Sequence, residues 1–334
     1  MVEKASSVTR VRPVTAQRPG PAGLVLGGVG VVLFSGTFPA TKIALRDLSP
    51  WFISFGRAAV AAALAGITLV VLRSRRPQGA DVARLVVSAF SVVVATPLLI
   101  ALSLQSTPAS HVAVVFALLP AVTAAFGVLR GGERPGLLFW SAALVGVAIV
   151  AAFELSQSHG GLSAADAYVL LAVVVCAAGY AEGAVVARAI GGLETICWSL
   201  IVTLPLTVSG ALLTAPEHVP SRDALLGFLY VSIFAMFLGF VFWYAGLSRG
   251  IARVSQMQLL QPLLTLALSA LLLEEHIGWV TALAALGVIA SVAVTQVARV
   301  GVRGGRTSGR PLRPPAAATR CPEDPAPPVA GSRA

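Results

Sequence analysis

The second half of this chain repeats the first half, displaced by 142 residues. The segment 118–133 returns in register at 260–275, with Leu, Pro, Thr, Ala, Leu and Glu at matching positions. Three further pairs fall on the same offset without a gap: Ser106 and Ser248, Val112 and Val254, Arg46 and Arg188. Both copies are almost entirely apolar, and many secondary transporters are built from duplicated hydrophobic units. The repeat therefore predicts two structurally similar halves.

The composition excludes a water-soluble protein. The chain is 57% hydrophobic and 11% charged, with a mean hydropathy of +0.86, whereas soluble domains carry about 25% charged residues. Two of the three cysteines lie in apolar segments and the third in the C-terminal tail, so no disulfide framework is indicated. The sequence predicts an all-α integral membrane protein without a cofactor.

The chain contains ten apolar segments of roughly 20 residues, which is the length that an α-helix needs to cross a bilayer. Five fall in each half, and because five is odd the second half enters the membrane from the opposite face, which predicts an inverted 5+5 repeat. The expected units are a disordered tail (1–20), two five-helix repeats (21–155 and 163–298) and a disordered basic tail (299–334). The segments run approximately over 22–45, 51–72, 84–104, 107–129, 137–154, 165–187, 193–214, 224–246, 254–273 and 277–298.

The basic residues predict the orientation. Of the 24 Lys and Arg residues, 20 fall in the tails and in the loops on one side, and only Arg46 and Arg222 on the other. Cytoplasmic loops carry the excess of Lys and Arg, so both termini are expected in the cytoplasm. The Arg, Ala and Gly bias suggests a GC-rich bacterial genome, and the expected location is the bacterial inner membrane. The net charge of +10 thus reflects topology, and no nucleic-acid partner is expected. The expected partners are the lipid bilayer and a small-molecule substrate, and a homodimer is left open.

Several positions resemble the EamA family of the drug/metabolite transporter superfamily. They are the stretch Phe34–Lys42 at the end of the first segment, the stretch Ser49–Arg57 entering the second, and a Pro with a following Glu in the fourth helix of each half. A glycine-containing fifth helix follows in both halves. The pairs are Pro120 with Glu133, Pro262 with Glu275, and Gly146 with Gly287. The chain departs from the family where Ser35-Gly36 replaces a common Trp-Gly pair.

This resemblance implies a secondary transporter that works by alternating access, with an exporter of a small metabolite (an amino acid or similar) or of a drug as the expected function. The alternatives are a non-transporting scaffold or receptor and an intramembrane enzyme. The enzyme is disfavoured because the four His residues are scattered and form no metal motif. No Walker loop is present, so ATP does not drive transport within this polypeptide.

Two cations fall within apolar segments, where charge is costly and often functional. Lys42 either lines a cavity or reaches the interface with its long stem. Arg57 either contacts substrate or pairs with a carbonyl or with a carboxylate such as Asp47 or Glu154. Both lie in the external half of their segments, so they predict a substrate with an anionic group over a purely cationic one.

Glu182 is an acid within an apolar segment. It either carries a proton during transport or forms a fixed pair with Arg188 or with an Arg of a neighbouring loop.

The ninth segment carries the polar side chains Gln258 and Gln261, which are three residues apart and share a helix face. Pro262 has no N–H, so a carbonyl near Gln258 is freed. These groups either line the transport path or form hydrogen bonds between helices, and Leu259 is expected to face lipid. The aromatic side chains Tyr180, Trp243 and Tyr244 either wall a substrate pocket or serve packing.

Overall fold

The computed structural model describes residues 21–74, 76–131, 136–157, 163–247 and 257–304, and within these ranges the chain is helical and contains no strand. Six helices are long and apolar enough to cross a membrane, and four shorter apolar helices accompany them. The two predicted tails lie outside the described residues, except that the last helix continues to Gly304. In chain order the helices are α1 (Pro21–Ser35 and Thr37–Ala44), α2 (Pro50–Val71), α3 (Ala80–Ala89, Phe90–Ala95 and Thr96–Leu104), α4 (Ala109–Phe116 and Leu119–Gly131), α5 (Leu137–Gln157), α6 (Ala164–Ile190), α7 (Gly192–Leu213), α8 (Arg222–Leu229, Tyr230–Leu238 and Gly239–Leu247), α9 (Met257–Leu260 and Gln261–Leu273) and α10 (Trp279–Gly304).

The offset of 142 residues recurs in the helix boundaries. Helix α2 spans Pro50–Val71 and α7 spans Gly192–Leu213, so both ends differ by 142. The same holds for the apolar spans Ala80–Leu104 and Arg222–Gly246. The duplication seen in the sequence is therefore also a duplication of helices.

The main helix pairings are the same when the two halves are exchanged. Helix α1 packs against α8, as its counterpart α6 packs against α3. Helices α2 and α7 pack against each other, and so do α5 and α10, and α4 and α9. Each of these three pairs consists of a helix and its own repeat counterpart. Such contacts are those of two halves related by a pseudo-two-fold axis.

Interruptions occur at corresponding places in the two halves. Helix α3 contains a π-helical segment at Phe90–Ala95, and α8 contains one at Tyr230–Leu238. Helix α4 is broken between Phe116 and Leu119, and α9 begins with a 3₁₀ turn at Met257–Leu260. The last two breaks each precede a proline of the duplicated segment, which has no N–H for the preceding turn.

Small side chains bring several helices close together. On α2, Ala58, Ala61, Ala62 and Ala65 are buried against α7, which lets the two backbones approach closely. Helices α1 and α8 are closer still, because a Cβ added to Gly246 would lie 2.6 Å from a backbone nitrogen of α1. Many large apolar side chains are exposed on the outside of the molecule, as Val70 is at 77% exposure. An apolar exterior of this extent is suited to lipid.

Candidate functional site

A cavity of about 1150 Å³ lies between the two halves of the molecule. Helices α1 to α4 contribute lining residues from the first half and α6 to α10 from the second. On α6 the lining runs from Cys176 to Arg188, which is about 18 Å of helix at 1.5 Å per residue. The cavity continues to the α6–α7 junction at Gly191 and Gly192. We call this end of the molecule the open end.

At the other end of the molecule, contacts across the bundle close the cavity. The Nζ of Lys42 donates to the carbonyl oxygens of Leu104 and Thr107. These carbonyls lie at the end of α3 and in the following loop. We call this region the closed end.

Glu275 caps the first turn of α4 at the closed end. Its two carboxylate oxygens accept hydrogen bonds from the backbone N–H groups of Ala109 and Ser110, at 2.7 and 2.9 Å. A negative charge at this position satisfies donors that the helix itself cannot pair and is favoured by the helix dipole. The contact joins the end of α9, in the second half, to the start of α4, in the first.

Two more contacts join helices at the closed end. The backbone N–H of Ser221, before α8, donates to the carboxylate of Asp47, after α1, at 2.7 Å. Hydrogen bonds from Ser221 lower the pKa of Asp47 below its ordinary value of 3.8. His111 of α4 lies 3.4 Å from the carboxylate of Asp166 on α6, and both side chains are buried.

The structure brings six of the eight predicted site residues to the cavity. They are Arg57, Tyr180, Trp243, Tyr244, Gln258 and Gln261. Lys42 and Glu182 are described but are not among the lining residues. Leu259, which the sequence analysis placed against lipid, also lines the cavity, and that expectation was wrong. In the 3₁₀ turn Met257–Leu260 the side chains are spaced at three per turn, so the facing of this segment differs from that of an α-helix.

Lys42 is used within the fold at the closed end, where its ammonium group meets backbone carbonyls. Its placement gives no support to the predicted contact with substrate. Glu182 is 5% exposed, and its carboxylate lies 3.9 Å from the Nε of Arg84 on α3. Of the two interpretations offered for Glu182, this contact favours the ion pair with a neighbouring Arg over proton transfer.

Arg57 is a charged side chain buried in the cavity wall. It is 7% exposed, and its Nη2 approaches the sulfur of Met236 at 3.5 Å. Its Nε has no hydrogen-bond partner. Among the side chains that the structure describes, none is a carboxylate within 4.0 Å of Arg57. Asp47, one of the two predicted partners, is engaged by Ser221, and the side chain of Glu154 lies outside the described residues.

Aromatic rings form much of the remaining wall. Phe34 of α1 meets Phe240 of α8 edge to face, with ring centroids 4.9 Å apart, and Phe240 in turn stacks on Tyr244. Phe38 and Phe116 form a second edge-to-face pair, at 5.5 Å. All five residues line the cavity. The cavity is therefore suited to an organic molecule with a substantial apolar part.

Sequence reasoning missed several lining residues, including Ser199, Thr123 and Glu194. The repeat could have found the first, because Ser199 stands 142 residues after Arg57. Thr123 has a buried hydroxyl without a partner. Its repeat counterpart Thr265 donates to the carbonyl of Ser35 at 3.0 Å. The two π-helical segments also border the cavity, and π-bulges are frequent at functional sites.

Known proteins are similar to this chain in sequence and in fold. The model of the EamA-like transporter family matches residues 21–153 and, a second time, residues 163–296. The chain belongs to the EamA-like transporter family. This confirms the resemblance drawn from the sequence, and it makes the protein a multi-pass membrane transporter by family.

One curated relative and one solved structure extend this comparison. The EamA-like chain is 44% identical over 277 residues to the "Uncharacterized transporter YdeK" of Bacillus subtilis (strain 168), covering 82% of this chain and 96% of the relative. It also resembles a solved protein, described simply as the crystal structure of a protein, at 20% identity with a TM-score of 0.59. That match covers 84% of this chain and 98% of the other and speaks for the fold alone.

Proposed function

We propose that this chain is a secondary transporter that exports a small organic metabolite by alternating access, with the central cavity as its substrate site. The observation that carries the proposal is the position of the cavity. It lies between two halves that pack as a symmetric pair. In transporters built from repeats, the substrate site lies at the repeat interface near the middle of the membrane.

The proposed topology is ten membrane-crossing helices arranged as an inverted 5+5 repeat. The six long helices are joined by four shorter ones of 10–17 residues, and tilting or bilayer thinning accommodates differences in length at modest cost. With five crossings per half, the symmetric packing places the pseudo-two-fold axis in the membrane plane. Exchanging the conformations of the two halves then exchanges the open and the closed end.

The proposed location is the bacterial cytoplasmic membrane, with both termini in the cytoplasm. The distribution of Lys and Arg supports this orientation. It puts the open end, at the α6–α7 junction, on the cytoplasmic side and the closed end on the external side. In this arrangement a substrate enters from the cytoplasm, as export requires.

Counterflow in proteoliposomes tests the proposal. Vesicles preloaded with an unlabelled metabolite should accumulate the same labelled metabolite from a dilute external solution. A panel of amino acids and organic acids supplies the compounds. The transport should be lost in Ala187→Trp, which places a large ring in the lining near the open end.

Leu212→Trp is the matched control, because this side chain is exposed on the outer face of α7. It should transport as the unchanged protein does. If the unchanged protein shows no counterflow of any compound in the panel, or if Ala187→Trp transports normally, the proposed function is wrong.

A further inference from the structure

We propose that Arg57 binds the carboxylate of the substrate, and that the substrate is a monocarboxylate with an apolar body. This inference rests on the proposed function, since it names the substrate class of the same cavity. It is carried by a buried guanidinium that lines the cavity, has no carboxylate partner among the described side chains, and keeps an unsatisfied Nε.

A buried charge without a partner is costly, and proteins pair such charges or hold them for a ligand. Arg57 is more than nine-tenths buried, its Nη2 donates to the thioether sulfur of Met236, which is a weak acceptor, and its Nε has no acceptor. A guanidinium offers a planar fork of N–H donors that matches the two oxygens of a carboxylate. An anion from the cavity would therefore satisfy donors that the surrounding helices leave open.

The charge of the ligand follows from the number of cations. Two described cations line the cavity, Arg57 and Arg188, and Arg188 is exposed near the open end. Lys42 does not add another charge to the lining, because it lies outside the lining residues and donates to backbone carbonyls at the closed end. A phosphate ester carries about −1.5 to −2 charges, more than one guanidinium neutralises. A carboxylate matches it.

The position of the acidic lining residue disfavours a zwitterionic amino acid. Among the described lining residues the carboxylate is that of Glu194. Helices α2 and α7 run antiparallel, because Gly66 faces Ile201 and Gly210 faces Phe55. Arg57 therefore lies level with residue 209 of α7, and Glu194 is fifteen residues further, about 22 Å away along the axis.

An α-ammonium group is attached to the carbon next to the carboxylate, so it stays beside Arg57 and cannot reach Glu194. It would lose its water without gaining an acidic partner, which is costly. Phe240, which lies one helical turn after the Met236 that Arg57 contacts, and Phe34, which packs against it edge to face, suit the apolar body of a carboxylic acid instead.

Four compounds that share a phenylethyl body and differ in charge test this proposal. They are 3-phenylpropanoate, phenylalanine, 3-phenylpropanamide and 2-phenylethylamine, and straight-chain carboxylates from butanoate to decanoate extend the panel. Binding to the purified protein is measured from the ligand-dependent shift of its melting temperature. The anion should bind about tenfold to a hundredfold more tightly than the amide, the range expected for hydrogen bonds to a charged group. It should also bind more tightly than phenylalanine and the amine.

Arg57→Gln should abolish the preference for the anion over the amide, and Arg57→Lys should keep part of it, because Lys retains the charge without the fork. Arg46→Gln, which removes an exposed loop cation, is the matched control and should keep all of it. Equal affinity of the unchanged protein for anion and amide, tighter binding of phenylalanine, or no binding of any carboxylate in the panel would overturn the proposal, even if Arg57→Gln fails to fold.

Flux separates this inference from the function beneath it. A carboxylate that binds with the expected preference but shows no counterflow would contradict the transport proposal and leave the anion site standing. Counterflow of neutral and anionic compounds at equal affinity would contradict the anion site and leave the transport proposal standing.

Discussion

Replacing Glu275 with Gln should open the closed end of the molecule. The carboxylate accepts two backbone hydrogen bonds from the first turn of α4, at 2.7 and 2.9 Å. The amide of Gln retains one acceptor oxygen and turns an NH₂ group towards the other N–H. The substitution therefore loses one charge-assisted hydrogen bond, and with it about 2 kcal/mol.

This loss should change the balance between the two conformations, because the contact joins α9 to α4 and is broken when the closed end opens. A difference of about 2 kcal/mol corresponds to roughly a thirtyfold change in their ratio. The assay places a single cysteine at Thr107, beside the contact, in a cysteine-free background. Its reaction rate with a membrane-impermeant thiol reagent applied from outside should rise roughly tenfold or more in Glu275→Gln.

Glu274→Gln is the matched control, because this neighbouring side chain is exposed and surface substitutions usually change stability by no more than about 0.5 kcal/mol. It should leave the reaction rate of the cysteine unchanged. Equal rates in both variants and in the unchanged protein would refute the assignment of Glu275 as a contact that holds the closed end.

Three further outcomes are expected. Gly246→Ala should lower the stability of the purified protein by about 1–3 kcal/mol, because the new methyl group meets the backbone of α1. Gly66→Ala is the control and should not, because its Cβ would lie an ordinary 3.6 Å from its neighbour; equal melting temperatures of the two variants would contradict this packing. Asp47→Ala should lower the melting temperature near pH 6, and the difference from the unchanged protein should vanish as the pH falls below 3.8. The lowered pKa of Asp47 means that its carboxylate stabilises the fold above pH 3.8 and loses this effect on protonation, so a difference that persists at low pH would contradict the role of this carboxylate. Glu182→Gln should destabilise the protein by removing the ion pair with Arg84, yet it should keep transport driven by an imposed pH gradient. Loss of that transport without loss of stability would instead support the proton-coupling hypothesis.

The sequence predicts the helices well because their signals are local. Apolar runs of bilayer length and the 142-residue repeat place α2 and α7 within a residue or two of their observed ends. The lining role of Gln258 and Gln261 follows from their polarity in an apolar segment and from the proline beside them. Arg57 stands out because it is a charged residue within an apolar segment, where charges are costly and often functional.

Contacts between helices are less predictable, because they depend on where each long side chain can reach. Lys42 and Arg57 look alike in the sequence, yet one meets carbonyls at the closed end and the other lines the cavity. The inward facing of Leu259 depends on a 3₁₀ turn that no residue pattern marks. The cap that Glu275 provides joins residues more than 160 positions apart, and only packing brings them together.

The central claim is that the cavity between the halves is a path reached alternately from both sides of the membrane. Single cysteines at Gln258 and Gln261, in a background with Cys176, Cys197 and Cys321 replaced by Ser, test this directly with a membrane-impermeant thiol reagent applied to right-side-out and inside-out vesicles. We predict that both positions react from each side, that substrate slows the reaction, and that a cysteine at the outward-facing Leu260, which is 51% exposed, stays unreactive in the lipid. Reaction from one side only under all conditions, or equal inertness at all three positions, would contradict the account.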